Sequence, residues 1–244
     1  PLIAIPTTSG TGSEASVGFV ISMSDGRKLT FANPKFLPRL AICDPELTLG
    51  LPPMLTAATG MDAITHCIEA VLATPANPPA EGIGLDGLWR GWRHIKRAVD
   101  NGSDRTARWE MMMASTEGAL AFVKGLGAVH SMSHAAGRIK ELRLHHGTLN
   151  AVILPTILRF NEEACLDVYP RLRQAMGLAA NADLAKAVEQ VNADLGLPRG
   201  LSEMGLTEEL IEDMVPHAIN DLATMTNPKK VSAEDFADLY RQAM

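Results

Sequence analysis

The sequence predicts a mainly α-helical chain with a few strands confined to residues 1–50. Two observations carry this. Short apolar, partly β-branched runs alternate with Gly, Ser and Pro up to residue 50. Beyond Gly50-Leu51-Pro52-Pro53 the apolar residues follow helical spacing, with few β-branched runs. A third bounds it: 46% hydrophobic and 20% charged residues over 244 positions give a globular chain with a sizeable core.

Taken in order, residues 2–5 (LIAI) read as a buried strand. The strand empties into PTTSGTGSE (6–14), where glycines and hydroxyls could cradle an anion. Gly10-x-Gly12-x-x-Ala15 matches a dinucleotide fingerprint by letter only, because 17–23 (VGFVISM) looks extended where the fingerprint needs a helix. Asp25-Gly26 is a hairpin signal, 28–31 the returning strand, and 40–43 (LAIC) a third apolar strand. No Walker lysine is present.

Helices are expected at 53–73, 85–100, 105–124, 128–142, 148–164, 167–177, 181–195, 207–222 and 232–243. The proline-rich 75–79 (PANPP) separates the first two, and 125–127 (GLG) precedes the fourth. Pro155 should kink the fifth. Thr207 with Glu208 and Glu209, and Ser232 with Asp235, read as helix starts.

A net charge of −6 argues against nucleic acid or an anionic membrane surface as the main partner. Cys43, Cys67 and Cys165 stand far apart without a CxxC, which fits a reducing cytoplasm. No apolar run is long enough to span a membrane. The chain starts at Pro1 and runs at once into a strand, so it is expected to be part of a longer protein.

Four of the seven histidines fall in 130–147, HSMSHAAGRIKELRLHHG. His130 and His134 share a helix face at i, i+4; His145 and His146 follow and run into Gly147, read as a helix end. In 56–70, TAATGMDAITHCIEA, Asp62 and His66 also stand i, i+4. Each pair is an incomplete metal site, and together they offer a carboxylate and imidazoles to Zn²⁺ or Fe²⁺ with a position left open for a substrate oxygen. Taken singly, such a pair is more often an ordinary surface feature. His94 and His217 lack such a pattern and read as surface or capping residues.

Five motifs now stand in order: PTTSGTGSE (6–14), DPELT (44–48), PPMLTAATGMDAITHCIEA (52–70), GLGAVHSMSH (125–134) and HGTLNAVILP (146–155), with Thr226-Asn227-Pro228 behind them. Together they resemble the iron-containing, group III alcohol dehydrogenases over essentially the whole chain. The resemblance implies a dehydroquinate-synthase-like helical domain at 51–244, metal-binding and catalytic. Residues 1–50 would be the C-terminal remnant of an α/β cofactor-binding domain. It implies hydride transfer between an alcohol and NAD or NADP, with Fe²⁺ or Zn²⁺ polarising the substrate oxygen. Asp62, His66, His130 and His146 fall on the metal-ligand positions and His134 on that of the histidine beside the nicotinamide. Thr7, Thr8, Ser16, Lys28, Leu47 and Gly50 fall on positions lining the cofactor. His146 is preferred to His145 because of its His-Gly junction. A small alcohol or aldehyde is the implied substrate, and a cytoplasmic homodimer is expected.

Two departures stand out. The family's glycine-rich pyrophosphate loop is not in this stretch, and the segment between His134 and His146 is two residues longer than the commoner pattern. The longer form, LRLHHGTLNA, resembles a branch that includes hydroxy-acid dehydrogenases. Two rivals remain: a dehydroquinate-synthase-like lyase, disfavoured by the apolar and hydroxylic character of 44–70, and a catalytically silent helical assembly module.

Overall fold

The computed structural model of the chain describes residues 2–23 and 28–244. Strand β1 (Ile3–Ala4) pairs in parallel with β4 (Leu40–Ala41). Strands β2 (Gly18–Ser22) and β3 (Lys28–Ala32) form an antiparallel pair with Gly18 opposite Ala32. The expected turn at Asp25-Gly26 lies outside the described residues. The first strand is not buried as its composition implied: Leu2, Ile3 and Ile5 are all about half exposed, at 54%, 52% and 52%. Among the described residues β1 has one hydrogen-bonded neighbour, β4, which is itself exposed.

The glycine-rich loop docks on a helix. Gly12 has φ 60°, and a Cβ there would run into Ala119 and the Ser115 carbonyl of α3 (Arg105–Ala121). That left-handed backbone and close approach suit glycine alone. The Thr116 hydroxyl donates to the buried Glu14 carboxylate at 2.7 Å, tying the loop to the same helix.

Helix α1 (Pro53–Leu72) is the axis of the fold, buried continuously from Thr56 to Leu72. A helix apolar on nearly every side belongs inside a bundle. Helices α2 (Pro78–Asp100), α3 and α5 (His146–Asn161) pack around it. Ile64 and Ile68 on α1 are fully buried, each contributing ~1.5–3 kcal/mol of transfer free energy. Helix α4 (Ala128–Ala136) lies against α5 and α8 (Ile211–Ile219). Helices α6 (Tyr169–Met176), α7 (Leu184–Asp194) and α9 (Ala233–Ala243) complete the bundle.

Several boundaries differ from the expected ones. Helix α2 starts at Pro78, not 85: the Asn77 side chain accepts from Ala80 N–H, and both prolines sit in the first turn, where a missing N–H costs little. Helix α4 ends at Ala136 rather than 142, followed by a 3-10 turn at Lys140–Leu142 and by Arg143 at φ 48°. Helix α5 begins at His146, so Gly147 lies in its first turn and ends no helix.

Pro155 sits inside α5 and cannot donate to the Ala151 carbonyl four residues back. The Asn192 amide of α7 donates to that carbonyl at 2.6 Å. Ser232 and Asp235 form the expected capping box at the start of α9. Thr207 instead precedes a 3-10 turn, Glu208–Leu210, and its side chain caps no backbone N–H. No helix among the described residues is long and apolar enough to cross a membrane.

Candidate metal centre

Helix α1 carries two carboxylates and an imidazole, Asp62, Glu69 and His66, in its buried stretch, with His66 at i+4 and Glu69 at i+7 from Asp62. Buried groups of this kind must find partners nearby. Helix α4 supplies His130 and His134, and α5 supplies His146 and Asn150. Gly147 lets α5 reach α1, for a Cβ there would run into the Ala58 carbonyl and lie 3.2 Å from Asp62 Cβ.

Asp62, His130 and His146 each offer one ligand atom, all within 4.8 Å of one another. Asp62 Oδ1 lies 3.9 Å from His130 Nε2 and 3.6 Å from His146 Nε2. Ligand atoms that share one ion at ~2.0–2.2 Å stand about 3–4 Å apart, which is the spacing seen. His66 stands beside this trio. Its Nε2 is 3.9 Å from Asp62 Oδ1, and its ring stacks on His130 with centroids 4.7 Å apart. Phe122 meets the His66 ring edge-on at 5.2 Å. His145 is exposed and caps the start of α5, its Nδ1 accepting from Thr148 N–H at 3.4 Å.

The donor chemistry fits a divalent ion. One amide nitrogen, Asn150 Nδ2, lies 2.7 Å from Asp62 Oδ1, 3.2 Å from His130 Nε2 and 3.1 Å from His146 Nε2. A single donor touching all three marks the point on which these acceptors converge. Burial, and then the neighbouring His66, His146 and His134, hold His130 well below the ordinary imidazole pKa, so it is neutral. The buried His66 Nδ1 has no hydrogen-bond partner among the described residues, which leaves an unused donor or acceptor beside the cluster. A carboxylate with neutral imidazoles suits Zn²⁺ or Fe²⁺.

A second layer of groups holds these rings. Glu69 accepts from His130 Nδ1 at 2.6 Å. Burial raises its carboxyl pKa, and the backbone N–H groups of Val129, Gly127 and His130 pull the other way, favouring the ionised form. His134 Nδ1 lies 2.9 Å from Asp221 Oδ2, and its ring stacks on His146 at 5.3 Å, leaving 27% of its side chain exposed.

The residues expected to line a cofactor lie on three pieces of the N-terminal segment. Thr7 is exposed and Thr8 half-buried. Ser16 Oγ accepts from Gly18 N–H at 3.1 Å. Lys28 starts β3, though its side chain lies outside what the structure describes. Leu47 is exposed on the 3-10 turn Pro45–Thr48, and Gly50 follows it.

Sequence reasoning passed over Glu69, Asn150 and Asp221. Glu69 carried one signal, its place three residues after His66 on an apolar helix. Asn150 is one turn after His146. Asp221 gave none, since its partner is 87 positions away.

The chain matches two family profiles, "Iron-containing alcohol dehydrogenase" over residues 1–45 and "Fe-containing alcohol dehydrogenase family, C-terminal" over residues 56–244. It is 56% identical to a 4-hydroxybutyrate dehydrogenase of Cupriavidus necator, covering 100% of this chain and 66% of that protein. It is 37% identical to an NAD-dependent methanol dehydrogenase of Bacillus methanolicus, again covering 100% and 66%. A crystal structure of 1,3-propanediol oxidoreductase superposes with a TM-score of 0.95 at 33% identity, covering 100% of this chain and 66% of that one. The chain thus spans just under two thirds of the length of these relatives. With the fold, both profiles and these relatives in agreement, the chain belongs to the iron-containing alcohol dehydrogenase family.

Proposed function

We propose that the chain is the metal-binding and catalytic part of an NAD(P)-dependent alcohol dehydrogenase. Residues 51–244 would hold the metal, and residues 1–50 would complete a cofactor-binding unit. The observation that carries this is the convergence of Asp62, His130 and His146 on one point between three helices. Asp62, His130 and His146 would hold Fe²⁺ or Zn²⁺, with His66 as fourth ligand. When bound there, such an ion would supply Lewis acidity to a substrate oxygen, and a nicotinamide would supply the redox chemistry.

The chain's own residues then do the following. Asp62 supplies the one negative charge at the centre. His130 is held neutral by burial and so presents a lone pair. Phe122 covers the edge of His66 and excludes water from that side. His134, half-buried and backed by Asp221, can hold a proton or pass it from the substrate hydroxyl to solvent. The glycines and hydroxyls of residues 7–16 remain the place for a cofactor.

The 4-hydroxybutyrate dehydrogenase at 56% identity supports a short ω-hydroxy acid or primary alcohol as substrate, and the NAD-dependent relative supports NAD. Three free cysteines fit a reducing compartment. The test is NAD(P)H formation from 4-hydroxybutyrate, 1,3-propanediol and methanol, with Fe²⁺ or Zn²⁺ added. It is run on this chain and on the chain joined to an N-terminal third of the kind its relatives carry. Metal binding without turnover of any alcohol in the joined protein would refute the dehydrogenase reading.

A further inference from the structure

Helix α4 begins at Ala128 with no capping side chain of its own, after Gly127. Its first N–H groups must be satisfied from elsewhere. Two distant residues do this. Asn227 Oδ1 accepts from Ala128 N–H at 3.0 Å. Glu69 Oε1 accepts from Val129 N–H at 2.8 Å, and Oε2 lies 3.4 Å from His130 N. Up to here Glu69 and Asn227 do the same job. Glu69 goes further: its Oε2 also meets the His130 ring at Nδ1, 2.6 Å away, while Nε2 of the same ring faces Asp62 and Asn150. Glu69 is 3% exposed, so water does not compete for these contacts.

We infer that Glu69 is the positioning residue of the metal centre. It fixes the ring plane of His130 and keeps the imidazole proton on Nδ1, so that the Nε2 lone pair is aimed at the ion. This rests on the metal-centre reading above. The physical reason is the two-nitrogen logic of imidazole. A ring can ligate through Nε2 only when its proton sits on Nδ1, and an acceptor at Nδ1 selects that tautomer. Both Glu69 oxygens face N–H donors, Oε1 that of Val129 and Oε2 those of His130, so both serve as acceptors, whereas an amide in its place can turn its NH₂ toward Nδ1 and favour the wrong tautomer. The chain thereby couples three things in one side chain: the buried stripe of α1, the start of α4 and the aim of a ligand.

The test uses the 244-residue chain and Zn²⁺ alone, in competition with a chromophoric chelator, so it needs no turnover. Glu69→Gln keeps the volume and can still cap Val129. Asn227→Ala removes a cap from the same helix start but leaves the His130 ring contact in place. The expected result is one Zn²⁺ per wild-type chain and ~10–100-fold weaker binding by Glu69→Gln. Asn227→Ala should bind within about two-fold of wild type while melting earlier, because it loses the cap and its bonds to Asn161 and Lys229 but nothing at the ring. The ¹⁵N shifts of His130 should show Nδ1–H in the wild type and a shifted tautomer population in Glu69→Gln. If wild type binds Zn²⁺ and Glu69→Gln matches it in affinity and tautomer, the inference fails and the metal centre stands. Equal weakening by both variants would make Glu69 a helix cap only. A wild-type chain that takes up no Zn²⁺ overturns the metal-centre reading and this role with it.

Discussion

Gly147→Ala adds one methyl group at the point where α5 touches α1. The new Cβ would overlap the Ala58 carbonyl oxygen and approach Asp62 Cβ to 3.2 Å. Neither obstacle is a flexible side-chain end, so the helices must part. Two effects oppose each other. Alanine inside a helix is worth ~0.5–1 kcal/mol over glycine. Overpacking a tight core contact costs ~1–3 kcal/mol, and more where backbone must move. Backbone against backbone should bring the upper half of that range, ~2–2.5 kcal/mol, so a net loss of ~1–2 kcal/mol is expected. For a chain of this size that is a fall in Tm of ~2–8 °C. The same displacement separates His146 from Asp62, now 3.6 Å apart at Nε2 and Oδ1, so Zn²⁺ affinity should fall at least ~10-fold. Calorimetry and chelator competition on the same samples read both effects. A Gly147→Ala chain that melts at or above wild type and keeps its Zn²⁺ affinity would refute the account of why glycine follows His146.

Other outcomes follow from the same geometry. His66→Ala should leave the helical circular dichroism spectrum intact but weaken Zn²⁺ retention steeply, measured by elemental analysis after dialysis; full retention would make His66 a packing residue. Asn192→Leu strips the Ala151 carbonyl of its donor and should cost ~1–2 kcal/mol in urea unfolding, and Pro155→Ala should recover most of that by supplying the missing N–H. Asp221→Asn, in the chain joined to an N-terminal third of the kind its relatives carry, should lower kcat ~10-fold or more with little change in KM, since it touches His134 and not the metal ligands. His130 is neutral and buried in the fold while an unfolded imidazole takes a proton near pH ~6.5. The unfolded chain therefore binds the extra proton, and stability from this residue falls by up to ~1.4 kcal/mol per pH unit below that value. Urea midpoints at pH 7.5 and 5.5 on the Zn²⁺-free chain check this sign.

The parts of the site that could be read in the sequence are the local ones. Asp62 with His66, and His130 with His134, are visible because helical periodicity puts i and i+4 on one face whatever surrounds them. The long buried run of α1 was equally plain, as apolar residues on nearly all sides allow few other placements. What failed was punctuation whose meaning depends on which side the helix lies. By sequence alone Pro78 and Pro79 look like a break; they are a start, because Asn77 caps the turn they sit in. Gly147 looks like a stop; it lies inside a first turn, because the reason for glycine there is the Ala58 carbonyl of another helix. Glu69 and Asp221 were out of reach for the same cause. A carboxylate's role is set by what it meets, and they meet residues 61 and 87 positions away. The His145 and His146 pair shows both sides of this limit. Sequence offers two adjacent imidazoles, and the His-Gly junction favours His146 without giving a physical reason. Only the direction in which α5 starts gives one of them a backbone N–H to cap and turns the other toward Asp62.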